Sequence, residues 1–354
     1  MLQWRSRFQP LSMHSLSPLR CHLLSLGWDM RRRDFIKLIG SSAAAWPLAA
    51  RAQQTALPVV GLLNASSAST ALVLAVFREG LRDAGYIEGQ NVVIEAQWAD
   101  GHYDRLPVLA AELVHRPAAI IVASSLPSVF AAKAATSTIP IVFISSGDPV
   151  QLGIVASLNR PGGNITGVNF FAVEVASKRL ELLIEVVPTV TVIGLLTNPN
   201  NPRTGVEIGQ LQAAARTVGK QMLVVEAGSE RDFDVAFETL VQERASAVLI
   251  PAEPLFFSWR EQLVALAARH ALPALYDVRE FTVAGGLLSY GISLTDTFRL
   301  VAGQVARILK GAKPADLPIL QPTKFQLVVN LRTAKTLGLR IPESFLLRAD
   351  VVIE

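Results

Sequence analysis

The sequence predicts an α/β protein of two doubly wound, parallel-sheet (Rossmann-like) lobes, joined by a hinge and separated by an inter-lobe cleft. Three observations predict it. Short continuous apolar runs alternate with segments of helical period, as in a parallel sheet covered by helices on both faces. The pattern occurs twice in the same order: Gly61 and Pro140 return as Gly194 and Pro273 at one offset of 133 residues. The first helical segment of each set stops at glycine, Gly85 or Gly219, a helix-ending signal. One large α/β sheet is the competing arrangement, and the constant offset favours two lobes.

Each element has its counterpart. The first strand, Val59–Asn64, returns as Val192–Asn198. Helical patterns follow at Ala71–Ala84 and Glu207–Val218. The second strands are Val92–Ala96 and Met222–Ala227, the third Ala119–Ser124 and Ala247–Ala252, and the fourth Ile139–Phe143 and Leu272–Tyr276. Alternating βα units of this kind build doubly wound domains. Lobe one is expected to comprise 57–168 plus part of 291–354, and lobe two 169–290. Hinges are expected near Val168-Asn169, Tyr290-Gly291 and Leu320-Gln321-Pro322, with glycine absorbing dihedral change at two of them.

The N-terminal segment has a separate logic. Arg31-Arg32-Arg33-Asp34-Phe35-Ile36-Lys37 precedes a mildly apolar run, Leu38–Ala50, closed by Ala50-Arg51-Ala52. A basic region, an apolar region and a small-x-small cleavage site in that order read as an export signal at 30–52, with Arg32 and Arg33 as a twin-arginine pair. Residues 1–29 fit no part of it and read as an extension ahead of a true start at Met30. The expected location is the periplasm, with the processed chain beginning at Gln53 and no membrane anchor remaining.

Removing the signal changes the charge argument. The chain has 33 Lys+Arg and 29 Asp+Glu, but residues 1–52 hold eight of the former and two of the latter. The processed part keeps 25 basic and 27 acidic side chains, so no basic footprint argues for nucleic acid. The only cysteine, Cys21, also precedes the cleavage point, which excludes disulfides and thiolate metal sites from the rest. Three histidines remain, His102, His115 and His270, without metal-ligand spacing. There is no Gly-x-Ser-x-Gly elbow and no P-loop. No catalytic residue, metal or cofactor is expected, and the chain is read as a binding protein and not an enzyme.

In open α/β sheets ligands sit beyond the carboxyl ends of the strands. The residues chosen there as ligand-binding are Asn64, Ser66, Ser124, Ser125 and Asp148 in lobe one, and Asn198, Asn200, Phe256 and Asp277 in lobe two. Hydroxyls and helix-start N–H groups suit a carboxylate. Asp148 is the first choice to hold an ammonium, with Asp277 and Glu253 behind it. Phe256, Phe257 or Tyr290 would flank an apolar or aromatic body. Each polar residue has a plainer role as a helix or turn cap, Asp148 ahead of Pro149 above all. Sugars are disfavoured, since only Trp98 and Trp259 are available for stacking beyond the signal.

A motif series runs through residues 57–354: Gly85-Tyr86-x-x-Gly89-Gln90-Asn91, Ser146-Gly147-Asp148-Pro149-Val150, Pro161-Gly162-Gly163-Asn164-Ile165-Thr166-Gly167, Asn198-Pro199-Asn200, Gly285–Gly291, Ile308-Leu309-Lys310-Gly311 and Val329-Asn330-Leu331-x-x-Ala334-x-x-Leu337-Gly338. In these motifs the chain resembles the substrate-binding proteins of ABC transporters, in the group that includes tryptophan/tyrosine-type binding proteins. The resemblance implies a type I periplasmic binding fold with three crossings between lobes. It also implies capture of a small solute and delivery to permease and ATPase subunits of an inner membrane. Together with the site residues, it points to an amino acid or a related apolar or aromatic carboxylate. The alternative is the ligand-binding subunit of a periplasmic sensory system.

Overall fold

The computed structural model describes residues 57–354, except 69, 70, 117, 171 and 252. The export signal and the extension expected before it, residues 1–52, lie outside the described residues.

The first sheet has five strands: β1 (Val59–Asn64), β2 (Val93–Trp98), β3 (Ala118–Ser124), β4 (Ile141–Ser146) and β5 (Ile165–Phe170), ordered β2-β1-β3-β4-β5. All four pairings are parallel. Successive side chains of a strand face opposite sides of the sheet, and both faces here are covered. Ile121 and Ala123 of β3 join Phe143 in a core under α2 (Leu106–His115) and α3 (Leu126–Ala135). Ile120 and Val122 face the other way, into a core with Phe77 and Leu81 of α1 (Ala71–Asp83). That explains why β3 reads as an unbroken apolar run.

The second sheet has seven strands: β6 (Val192–Thr197), β7 (Gln221–Glu226), β8 (Ala247–Ile250), β9 (Ala274–Tyr276), β10 (Leu288–Ile292), β11 (Phe325–Asn330) and β12 (Val351–Ile353), ordered β12-β11-β10-β9-β8-β6-β7. Its pairings are parallel except β10 with β11, which is antiparallel. One face is covered by α4 (Ala172–Val186), α5 (Thr204–Thr217), α11 (Leu331–Thr336) and α12 (Glu343–Leu346). The other is covered by α6 (Phe233–Gln242), α7 (Pro254–Ser258), α8 (Arg260–Arg269) and α9 (Arg279–Val283).

The chain passes between the sheets three times: after β5, at Ser293 after β10, and between Leu320 and β11. The second passage brings α10 (Leu294–Leu309) back to lobe one, where Phe298, Val301 and Val305 join the core of Val60, Leu62 and Phe77. Gly80 of α1 allows that approach, since a Cβ there would stand 2.8 Å from the Cβ of Ala302. Residues 325–354 then complete the second sheet.

Two of the three anticipated hinge sites sit inside ladders, while Leu320 makes only an isolated bridge with Val168. Val168 and Asn169 lie in β5, paired with Ile144 and Ser145, and Tyr290 and Gly291 lie in β10, paired with Leu327 and Gln326. Gly291 serves close approach: a Cβ there would fall 1.8 Å from the carbonyl oxygen of Asp277. Gly167 does the same, with a Cβ falling 2.3 Å from the carbonyl oxygen of Phe143.

Candidate functional site

The carboxyl ends of both sheets face one cleft, a cavity of about 110 Å³. Lobe one supplies Asn64, Ser66, Ser124, Ser125, Ser145, Ser146 and Phe170. Lobe two supplies Asn201, Arg203, Glu253 and Phe257, and Phe298 of α10 completes the apolar wall.

On the lobe-one side, the Asn64 side chain accepts from the Ser66 N–H at 2.9 Å, shaping the turn that ends β1. Ser125 precedes α3 with φ 109°, a region that disfavours any side chain. Its N–H donates to the Ile144 carbonyl at 3.0 Å, and its hydroxyl lies 3.0 Å from that of Ser128. No side chain caps α3, so its N-terminal turn presents backbone donors at the cleft wall.

Two charged side chains stand in the wall from lobe two. Arg203 opens α5 and is held by Glu207 at 3.1 Å, with both side chains about nine-tenths buried. Glu253 caps α7: one carboxyl oxygen accepts from the N–H groups of Leu255 at 2.7 Å and Phe256 at 3.4 Å. The other accepts from Asn198 at 3.0 Å, Asn201 at 3.5 Å and the hydroxyl of Tyr103 across the cleft. Burial pushes the Glu253 carboxyl up to about 8, against the pull of the Leu255 and Phe256 N–H groups.

Of the nine expected residues, the structure brings Asn64, Ser66, Ser124 and Ser125 together at the cleft and places the other five elsewhere. Asp148 turns back on its own chain, accepting from the N–H groups of Val150 at 2.8 Å and Gln151 at 3.2 Å. Asn198 is buried behind the wall, where it holds Glu253 and accepts from the Asn200 N–H at 2.9 Å. Asn200 points to the Gly228 carbonyl at 3.4 Å. Phe256 is core, edge-on to Phe233 at 5.9 Å. Its neighbour Phe257 faces the cleft instead, because adjacent helical residues are about 100° apart. Asp277 pairs with the buried Arg179 at 2.8 Å. Arg179 also donates to the Tyr290 carbonyl at 2.7 Å.

Ser145, Ser146, Asn201, Glu253 and Phe257 all stand at strand ends that the repeat had already marked. Arg203 had a weaker signal, its place at the helix start after such a strand end. Phe170 and Phe298 had none, because their positions depend on passages between the lobes.

A family model described as ABC transporter substrate binding protein matches residues 64–353. A tyrosine-binding protein of Clostridioides difficile (strain R20291) is 26% identical over 266 residues, 75% of this chain and 76% of that one. Among solved structures, a conserved domain protein of Vibrio cholerae is 27% identical with TM-score 0.77, covering 84% of this chain and 100% of its own. An ABC domain of Streptococcus pneumoniae, solved in complex with L-Trp, is 25% identical with the same TM-score and the same coverage, 84% and 100%.

Proposed function

This chain belongs to the ABC transporter substrate-binding protein family, and on that premise we propose that it captures an amino acid, or a related apolar or aromatic carboxylate, between its lobes. The family is one of solute-binding proteins and not of enzymes. The observation that carries the reading is the charge set of the cleft: one buried cation, Arg203, and one buried carboxyl, Glu253, among serines, asparagines and phenylalanines. In this reading Arg203 and the donors at Ser124 and Ser125 take the solute's carboxylate. Glu253 takes an ammonium. Phe170, Phe257 and Phe298 cover the apolar body. The L-Trp complex of the pneumococcal domain and the name of the tyrosine-binding relative support a large amino acid.

The place in the cell follows from the signal at 30–52. The protein is exported, works in the periplasm, and hands its closed, loaded form to a permease driven by an ATPase. A solute that bridges both lobes favours closure by its greater affinity for the closed form. The test is a thermal-shift screen of residues 53–354 against the twenty amino acids and aromatic carboxylates. A true ligand at a hundredfold excess over its Kd stabilises by about 2.7 kcal/mol. A screen in which L-Trp, L-Tyr and every other amino acid leave the midpoint unmoved would overturn the amino-acid reading.

A further inference from the structure

Along one edge of the cleft a single short helix, α7, carries three contacts between the lobes. The Tyr103 hydroxyl of lobe one donates to the Glu253 carboxyl at the start of α7. The Ser67 N–H of lobe one donates to the Ser258 hydroxyl at its end, at 2.9 Å. Between them Leu255 packs on Gly101, where a Cβ would stand 2.7 Å from its methyl.

The lobe-one side of this contact is stiff. The loop before Tyr103 is tied to the end of β1 by the N–H of Ala99 to the Asn64 carbonyl at 2.9 Å and of Gly101 to the Ala65 carbonyl at 2.8 Å. Asp100 and Gly101 take φ 55° and φ 82°, and Arg105 pairs with Asp100 at 2.8 Å. A surface braced in this way needs little further ordering when α7 arrives.

We propose that Tyr103 is a positioning residue, the lobe-one half of a latch that holds Glu253 and α7 in the closed arrangement from outside the solute's own contacts. Tyr103 is absent from the residues that wall the cleft. It therefore biases the open–closed equilibrium without choosing the solute. The proposal rests on the reading of the cleft as a site that closes, but its test needs no solute.

The chain after residue 52 has no cysteine, so Arg82→Cys in lobe one and Glu238→Cys in lobe two accept a dye pair without competition. Single-molecule energy transfer then reads the closed fraction of the solute-free protein. Tyr103→Phe should lower the closed-to-open ratio roughly tenfold, the worth of one hydrogen bond to a carboxyl group, with the unfolding midpoint unchanged. Ser258→Ala, which removes the neighbouring contact, should move the ratio in the same direction and covers the case of a poorly folded Tyr103 variant. Unchanged ratios in folded variants would overturn the latch. A latch that fails while an amino acid still stabilises the protein leaves the solute reading standing, and the converse result leaves the latch standing.

Discussion

At the scale of single residues, two buried carboxyl groups with different partners have different consequences. Asp277 is matched by Arg179, itself pulled down from its ordinary value by burial. Asp277→Asn should therefore destabilise the fold by about 3–5 kcal/mol, because it strands a buried guanidinium; urea unfolding measures it. Among the described residues no cation pairs with Glu253, and its carboxyl is held up to about 8 by burial. Opening of the cleft should return it toward the ordinary 4.5 by readmitting water. Closing the solute-free protein then takes up a proton across that interval. The closed form is favoured most below about 4.5, and the advantage is lost as pH rises through about 8. Solution scattering against pH should show the solute-free radius of gyration rising across that window. Glu253→Gln should flatten the curve. A bound ammonium should flatten it too, since it supplies the missing cation.

At the scale of elements, Gly291 permits a close contact while Gly209 merely loosens a helix. Gly291 of β10 lies against the backbone of Asp277, which cannot move aside without parting β9 from β10. Gly291→Ala should destabilise by about 1–3 kcal/mol or more, the range for forced overpacking. Gly209, inside α5, faces open space, with nothing within 4 Å of where a Cβ would stand. Gly209→Ala should stabilise by about 0.5–1 kcal/mol through helix propensity alone. Thermal unfolding of the pair checks both signs, and like signs would show that β10 tolerates displacement. The short α7 carries the cleft, the inter-lobe contact and Phe256 of the core on only five residues, which is why neighbouring phenylalanines there have unlike roles.

At the scale of the whole molecule, the lobes are two copies of one architecture whose ends are exchanged. Lobe one borrows α10 from the later chain, and lobe two borrows β11 and β12. The export signal proposed for residues 30–52 belongs to this scale too, because on that reading it decides whether the folded chain meets its solute. Residues 30–52 fused to a folded reporter should carry it to the periplasm. Arg32→Lys with Arg33→Lys should stop that transport, as cell fractionation would show. Continued export of the double variant would assign the signal to the general secretory route.

What the sequence determined by itself was the architecture and which strand ends meet at the cleft. Apolar runs such as Ala119–Ser124 are legible because a strand buried on both faces needs apolar side chains at every position, and the repeat doubles the signal. The parallel order puts every strand end on the same side, so Asn64, Ser66, Ser124 and Ser125 could be named from it. The tertiary structure alone decided which strand-end residues face the cleft. Asp148, Asp277 and Glu253 are alike in sequence, each a carboxylate just past a strand. Their roles separate only when distant partners are in place: the next residues' own N–H groups for Asp148, Arg179 from 98 positions earlier for Asp277, and Tyr103 from 150 positions earlier for Glu253. A buried charge is defined by what neutralises it or fails to, and that neighbour comes from elsewhere in the fold.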